Sequence, residues 1–275
     1  MFFKKSATAF GFALGMACAF PDLAGAQNTG VMMAPHRAVY DLSLLKSSNG
    51  GPESARGRIV VEFSGSPCEG YVQTMRQVVE LAAPEGEAAR LDYRSSTFES
   101  GDATRFRFSR DNKKNGEQPD KAEGSAEKRN RGIALMINKP KRKQMDLPEG
   151  TLFPTEHMKK LIQSAKAGET RFAAPLFDGA DEDNRVFDTV VTIGNRKDGG
   201  DGQALTASLN GLPYWPMSMS FFEREKGDGM PVQTMRFMVF ENGVISSIVI
   251  DFGDFALSGK LQGLEMLKTV ACDKK

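Results

Sequence analysis

Apolar and polar positions alternate one by one along most of the chain. From His36 to Leu45, Ala38, Tyr40, Leu42 and Leu44 share one face, while Arg37, Asp41 and Ser43 share the other. A period of two is the pattern of a half-buried β-strand. Arg58–Phe63 repeats it with Ile59, Val61 and Phe63 in phase, and Tyr71–Leu81 and Leu91–Phe98 follow. In Thr104–Ser109, Phe106 and Phe108 oppose Arg105 and Arg107. Further runs cover Gly132–Ile137, Arg185–Ile193, Gln203–Leu209, Met217–Phe222 and Val232–Phe240. Gly, Asn, Asp and Pro stand between them, the spacing of a sandwich or barrel. Asn242-Gly243 separates Met235–Glu241 from Val244–Phe252 and predicts a hairpin with a type I′ turn, since both residues tolerate positive φ.

One stretch changes period. Met158, Leu161, Ile162 and Ala165 recur at helical spacing after Pro154 and Thr155, with Thr155 as the expected N-cap and Gly168 as the stop. A helix at about 156–166 with one apolar stripe should lie across a sheet or plug a barrel mouth. Asp111–Asn130 is so charged and so poor in large apolar residues that it reads as a loop or the solvated end of a long hairpin. The expected fold is mainly β: a single antiparallel, barrel-like domain with one principal α-helix.

The first residues do not belong to that fold. Lys4 and Lys5 precede an apolar run from Ala7 to Phe20, Pro21 breaks it, and Ala24-Gly25-Ala26 supplies a small-x-small cleavage pattern. A cut between Ala26 and Gln27 is expected, leaving the domain at 27–275 in the periplasm. The apolar run, about fourteen residues, falls short of the roughly 20 that a spanning helix needs. Lipidation at Cys18 is disfavoured by Gly15, where a Leu-like residue is wanted. No later stretch is apolar enough for a transmembrane helix, and the ending Cys272-Asp273-Lys274-Lys275 is unlike an outer-membrane barrel strand. Losing two lysines and one aspartate takes the formal charge from +1 to 0, which offers no general attraction to nucleic acid.

Cleavage also removes Cys18, so Cys68 and Cys272 remain. An even count in an oxidising compartment argues for one bridge, the alternative being two unpaired thiols. Such a bridge would staple the chain's end to its first third, so early and late strands would meet on one side of the fold.

Catalytic chemistry has little to stand on. His36 and His157 are the two histidines, neither beside a motif nucleophile, and no Gly-x-Ser-x-Gly elbow is present. A hydrolase using either one is the weaker reading; structural hydrogen bonding is the simpler. Asp178–Asp183 is acidic but lacks the ligand order of a calcium loop, and Gly194–Gly202 does not lead into a helix as a phosphate loop would. Met217 and Met219 on one strand face read as core rather than as copper ligands. Lys139, Lys141, Arg142 and Lys143 around Pro140 form a basic run, either a solvated strand end or a contact for anionic headgroups. No metal or cofactor is expected.

Three stretches together carry a resemblance. They are Ala34-Pro35-His36-Arg37-Ala38-Val39-Tyr40-Asp41-Leu42, Leu147-Pro148-Glu149-Gly150-Thr151-Leu152-Phe153-Pro154-Thr155-Glu156-His157, and Phe177-Asp178-Gly179. With Cys68 and Cys272 they resemble the EipB-type envelope integrity proteins of α-proteobacterial periplasms, over essentially the whole mature chain. The resemblance implies a spiral-like β architecture, paired cysteines at these positions and a role in maintaining the cell envelope. It also implies a loose similarity to periplasmic lipoprotein carriers, whose curved sheets hold acyl chains. It assigns no catalytic residue, and His36, Arg37, Tyr40, Phe153, Pro154, Thr155, His157, Phe177, Asp178 and Gly179 enter as motif residues without a role. The expectation is a non-enzymatic scaffold for envelope proteins if side chains fill the concave face. If that face stays open, the alternative is a lipid or lipoprotein carrier.

Overall fold

The computed structural model describes residues 30–82, 88–130, 132–181, 183–198, 204–224, 229–270 and 272. The expected signal segment and its Ala26–Gln27 cleavage site lie outside them. Among the described residues the first eight strands are β1 (His36–Ser47), β2 (Ser54–Ser66), β3 (Gly70–Ala82), β4 (Ala89–Glu99), β5 (Arg105–Lys114), β6 (Asp120–Arg129), β7 (Gly132–Lys139) and β8 (Lys143–Leu147). The helix α1 (Pro154–Lys166) follows, then β9 (Arg171–Leu176), β10 (Phe187–Ile193), β11 (Tyr214–Glu223), β12 (Gln233–Phe240), β13 (Ile245–Asp251) and β14 (Phe255–Met266).

All fourteen belong to one antiparallel sheet, ordered β8 through β1 and then β14 back through β9. The chain meanders outward to β8, passes through α1 to the opposite edge, and meanders back until β14 lies beside β1. His36 there faces Met266, and Ser47 faces Phe255. A sheet this wide curls, and its alternation sets the concave face: Ala38, Tyr40 and Leu42 are buried while Arg37 is exposed. The Cys68–Cys272 disulfide, with Cα atoms 5.8 Å apart and a sequence separation of 204, joins the β2–β3 turn to the tail after β14. Early and late strands do meet there, because β1 carries β2 on one side and β14 on the other.

Side chains and one bridging residue draw the two sheet edges together. Leu152, five residues past β8, donates its N–H to Pro175 O at 2.8 Å and accepts from Phe177 N–H at 3.0 Å, a parallel bridge to β9. Phe153 then stacks on Phe106 at 5.0 Å, and Phe177 meets Phe106 and Phe108 edge-on. Gly179 has φ +69°, and a Cβ there would lie 2.4 Å from Phe108 Cγ. The loop after β9 therefore sits tight against β5.

Helix α1 lies inside the curve. Leu161, Ile162 and Ala165 pack with Phe63, Tyr71, Val191, Trp215 and Val239 in one core cluster. Thr155 is not its N-cap. Phe153 holds that position with extended φ/ψ and no side-chain bond, and Thr155 is in the first turn. The orphan amides are satisfied from β4: Thr155 N–H and Glu156 N–H donate to the two Glu99 carboxylate oxygens at 2.7 and 2.8 Å. Glu156 pairs in turn with Lys128 and Lys160. Gly168, at φ +80°, follows the helix as expected.

Four further readings need correction. Asp111–Asn130 is the end of the β5–β6 hairpin, one of its two readings, but it is not solvated throughout, because β6 presents Ala122, Gly124 and Ala126 inward, and small residues there admit the Phe108 ring. Ala204–Leu209, within the stretch read as Gln203–Leu209, is a 3-10 helix rather than a strand, so the glycine-rich stretch before it is not a hairpin between strands. The Asn242-Gly243 hairpin exists, but among its residues only Gly243 has positive φ, and Gly243 N–H donates to Phe240 O. The loop is thus Glu241-Asn242-Gly243, a turn ending in a left-handed glycine rather than type I′. Strands β8, β9 and β14 were absent from the periodicity reading.

Candidate functional site

The concave face is not filled. A cavity of about 690 Å³ remains between the inner faces of β1–β4 and β10–β13, bounded by the start of α1 and the loop after β9. Its walls are mostly apolar, with Ile59, Val61, Ile248 and Ile250 among them. Four methionines, Met33, Met75, Met158 and Met235, also line it, and such unbranched thioether side chains repack around guests of irregular shape. Val232 and Phe252 belong to the lining yet are 38% and 37% exposed, so the cavity reaches solvent there.

Polar side chains interrupt the wall, Gln73, Gln77, Asn112 and Gln233 among them, and several others are engaged in bonds. Tyr40 donates its hydroxyl to Ile245 O at 2.6 Å, and burial keeps the phenol protonated far above its ordinary range. Nδ1 of His36 lies 2.8 Å from Ala34 O, an acceptor, so Nδ1 carries the proton. Burial depresses the His36 pKa against that bond and keeps the ring neutral. Asp178 accepts the Ala180 N–H at 2.9 Å. Burial raises its pKa, and burial together with the Asp178 charge pushes Tyr93 up to about 12. For Asp181, burial works against ionisation, but bonds from Arg185 outweigh it and hold the carboxyl below its ordinary range.

His157 is elsewhere. It is buried at 3% exposure between α1 and the β9–β10 pair, edge-on to Phe172. Thr189 spends its hydroxyl proton on Ala174 O, so it accepts from His157 Nε2–H at 2.8 Å. Burial lowers the imidazole pKa to about 4. The ring is enclosed and its Nε2–H is held by Thr189, away from the cavity. His36 and His157 therefore do not form one site, and His157 is not among the residues lining the cavity. Among the described residues no three His, Cys, Asp or Glu side chains gather as a metal site.

The motif residues separate by position. His36, Tyr40, Pro154, Thr155 and Asp178 line the cavity. Phe153, Phe177 and Gly179 lock the curl of the sheet. Arg37 is exposed on the outer face, in register with Glu62 and Glu265. The chain matches one family model, described as EipB-like, over residues 27–268. The chain belongs to the EipB-like family. It is 33% identical over 271 residues to the cell envelope integrity protein EipB of Brucella abortus (strain 2308), covering 98% of this chain and 96% of that one. It also superposes on the crystal structure of a beta-barrel-like protein from Brucella abortus, solved as a domain of unknown function. That match has TM-score 0.81 and 33% identity, and covers 86% of this chain and all of the other.

Sequence reasoning missed Glu99, the carboxylate that caps α1, because its partners lie 56 and 57 residues away. It also missed Tyr93 as a wall residue. The inward phase of Leu91 and Tyr93 on β4 was the available signal.

Proposed function

We propose that this EipB-like chain is an exported periplasmic protein that supports cell-envelope integrity by holding an apolar guest, an acyl chain, in the curve of its sheet. The open cavity carries this reading. Its volume falls within the roughly 300–1,000 Å³ of small-molecule sites, and interiors are otherwise close-packed. A filled concave face would instead have favoured a scaffold working through its outer surface. Two observations support the rest: the envelope-integrity name of the Brucella relative, and a family match that begins at residue 27, where cleavage is expected. The enclosure of His157 away from the cavity, and the bond that His36 Nδ1–H makes to Ala34 O, support a role without catalysis.

The test is mass spectrometry of organic extracts from protein purified out of the periplasm, beside the variant Met75→Trp, which places an indole in the cavity. Acyl lipid that co-purifies with the wild type and is depleted in a folded Met75→Trp protein is the expected result. A wild-type protein that carries no lipid and binds no acyl probe, but captures an envelope protein on cross-linking, would reinstate the scaffold.

A further inference from the structure

Antiparallel pairing places the strand ends of β4 to β8 side by side on one rim of the sheet. The register sets Leu91 of the cavity wall opposite Lys114, and Asn112, also a wall residue, opposite Asp120. From that lip outward the rim is mainly basic, although Glu117 and Asp120, the latter paired with Arg110, stand at the β5–β6 turn. Lys113 and Lys114 end β5, Lys121 begins β6, Lys139 ends β7, and Lys141, Arg142 and Lys143 form the exposed turn into β8. Lys121 is paired with Asp111 and Lys139 with Glu123. Among the described residues no salt bridge is made by Lys113, Lys114, Lys141, Arg142 or Lys143. The same rim, at the ends of β1, β12 and β13, carries exposed apolar side chains: Leu45 at 51%, Val232 at 38% and Phe252 at 37%. Val232 and Phe252 continue the cavity lining outward.

We propose that this rim docks on a bilayer surface bearing anionic headgroups, setting the cavity mouth against the lipid. The cations face the negative surface potential, and the apolar side chains enter the headgroup layer. A chain of near-zero net charge needs such a local cluster to be attracted at all. Each cation near an anionic surface strengthens binding several-fold. The opposite rim, where β1 begins, β14 ends and the disulfide lies, also carries cations among the described residues, but two of them are neutralised, Lys128 by Glu156 and Arg129 by Glu127. The proposal stands whether or not the cavity is loaded.

Flotation of the purified mature chain with phosphatidylcholine vesicles, with and without phosphatidylglycerol, tests it. Binding is expected only with phosphatidylglycerol, and it should disappear at high salt. The combined Lys141→Glu, Arg142→Glu, Lys143→Glu protein should bind about tenfold more weakly or worse, with its thermal unfolding unchanged. Leu45→Ser should weaken binding without altering its salt dependence. No binding to the anionic vesicles would overturn the proposal, as would unchanged binding by the triple variant. So would a basic turn that recruits an acidic soluble protein but no vesicle.

Discussion

Glu99→Gln probes the contact on which the seating of α1 depends. Glu99 is 3% exposed, and burial pushes its pKa from 4.5 to about 7, against the opposing pull of two amide hydrogen bonds at the helix start. Between those values the folded protein holds a proton that the unfolded chain has released. Stability then falls as pH rises through the window. The stabilisation is complete below about pH 4.5 and is lost by about pH 7, worth on the order of 3 kcal/mol at 1.36 kcal/mol per unit. His157 acts in the opposite sense. Its pKa is lowered from 6.5 to about 4, so its contribution is lost as pH falls through that range. The two nearly cancel in the wild type over pH 4.5–6.5. Glutamine remains neutral and keeps one carbonyl for the amides, so Glu99→Gln should unmask the His157 slope. Denaturant unfolding at pH 5 and pH 8, with the disulfide intact, measures this. The variant should gain on the wild type by up to about 3 kcal/mol between the two pH values. If instead the wild type gains on the variant, the helix end holds Glu99 ionised and the reasoning is wrong.

Two further outcomes follow from the fold. Cys68→Ser opens a loop spanning 204 residues, and the chain-entropy model puts the loss near 5 kcal/mol as an upper figure; alkylation that finds both wild-type thiols free in periplasmic protein would contradict the bridge. Gly179→Ala meets both positive φ and the Phe108 ring and should cost more than about 2 kcal/mol, whereas Gly168→Ala, with positive φ and nothing within 4 Å, should cost about 1 kcal/mol. Equal losses in unfolding experiments would show that Gly179 does not press on β5.

The legible parts of this protein were those that short windows encode. Alternation at Ala38, Tyr40 and Leu42 marked β1 because one face of that strand is buried. The helical spacing of Leu161, Ile162 and Ala165 marked α1 because a single stripe meets the sheet. Cysteine parity, with the oxidising compartment that the expected signal segment implies, was enough to pair Cys68 with Cys272. Strand β6 was hidden because its buried face is made of Ala122, Gly124 and Ala126. Their inward position is visible only once Phe108 is known to lie across from them. The cap on α1 and the closure at Phe177 and Gly179 depend on partners tens of residues away, which periodicity cannot register. The cavity was least legible, since an unfilled volume belongs to the way the walls meet and not to any residue in them.

The account's central claim is that the cavity takes an acyl guest. Methyl-¹³C methionine NMR reads it directly, because Met33, Met75, Met158 and Met235 line the cavity while Met32 and Met266 are exposed elsewhere. Titration with a long-chain fatty acid should shift the four cavity methyls together, saturably, and leave Met32 and Met266 in place. Shifts confined to Met32 and Met266, or no shifts at all, would contradict the claim.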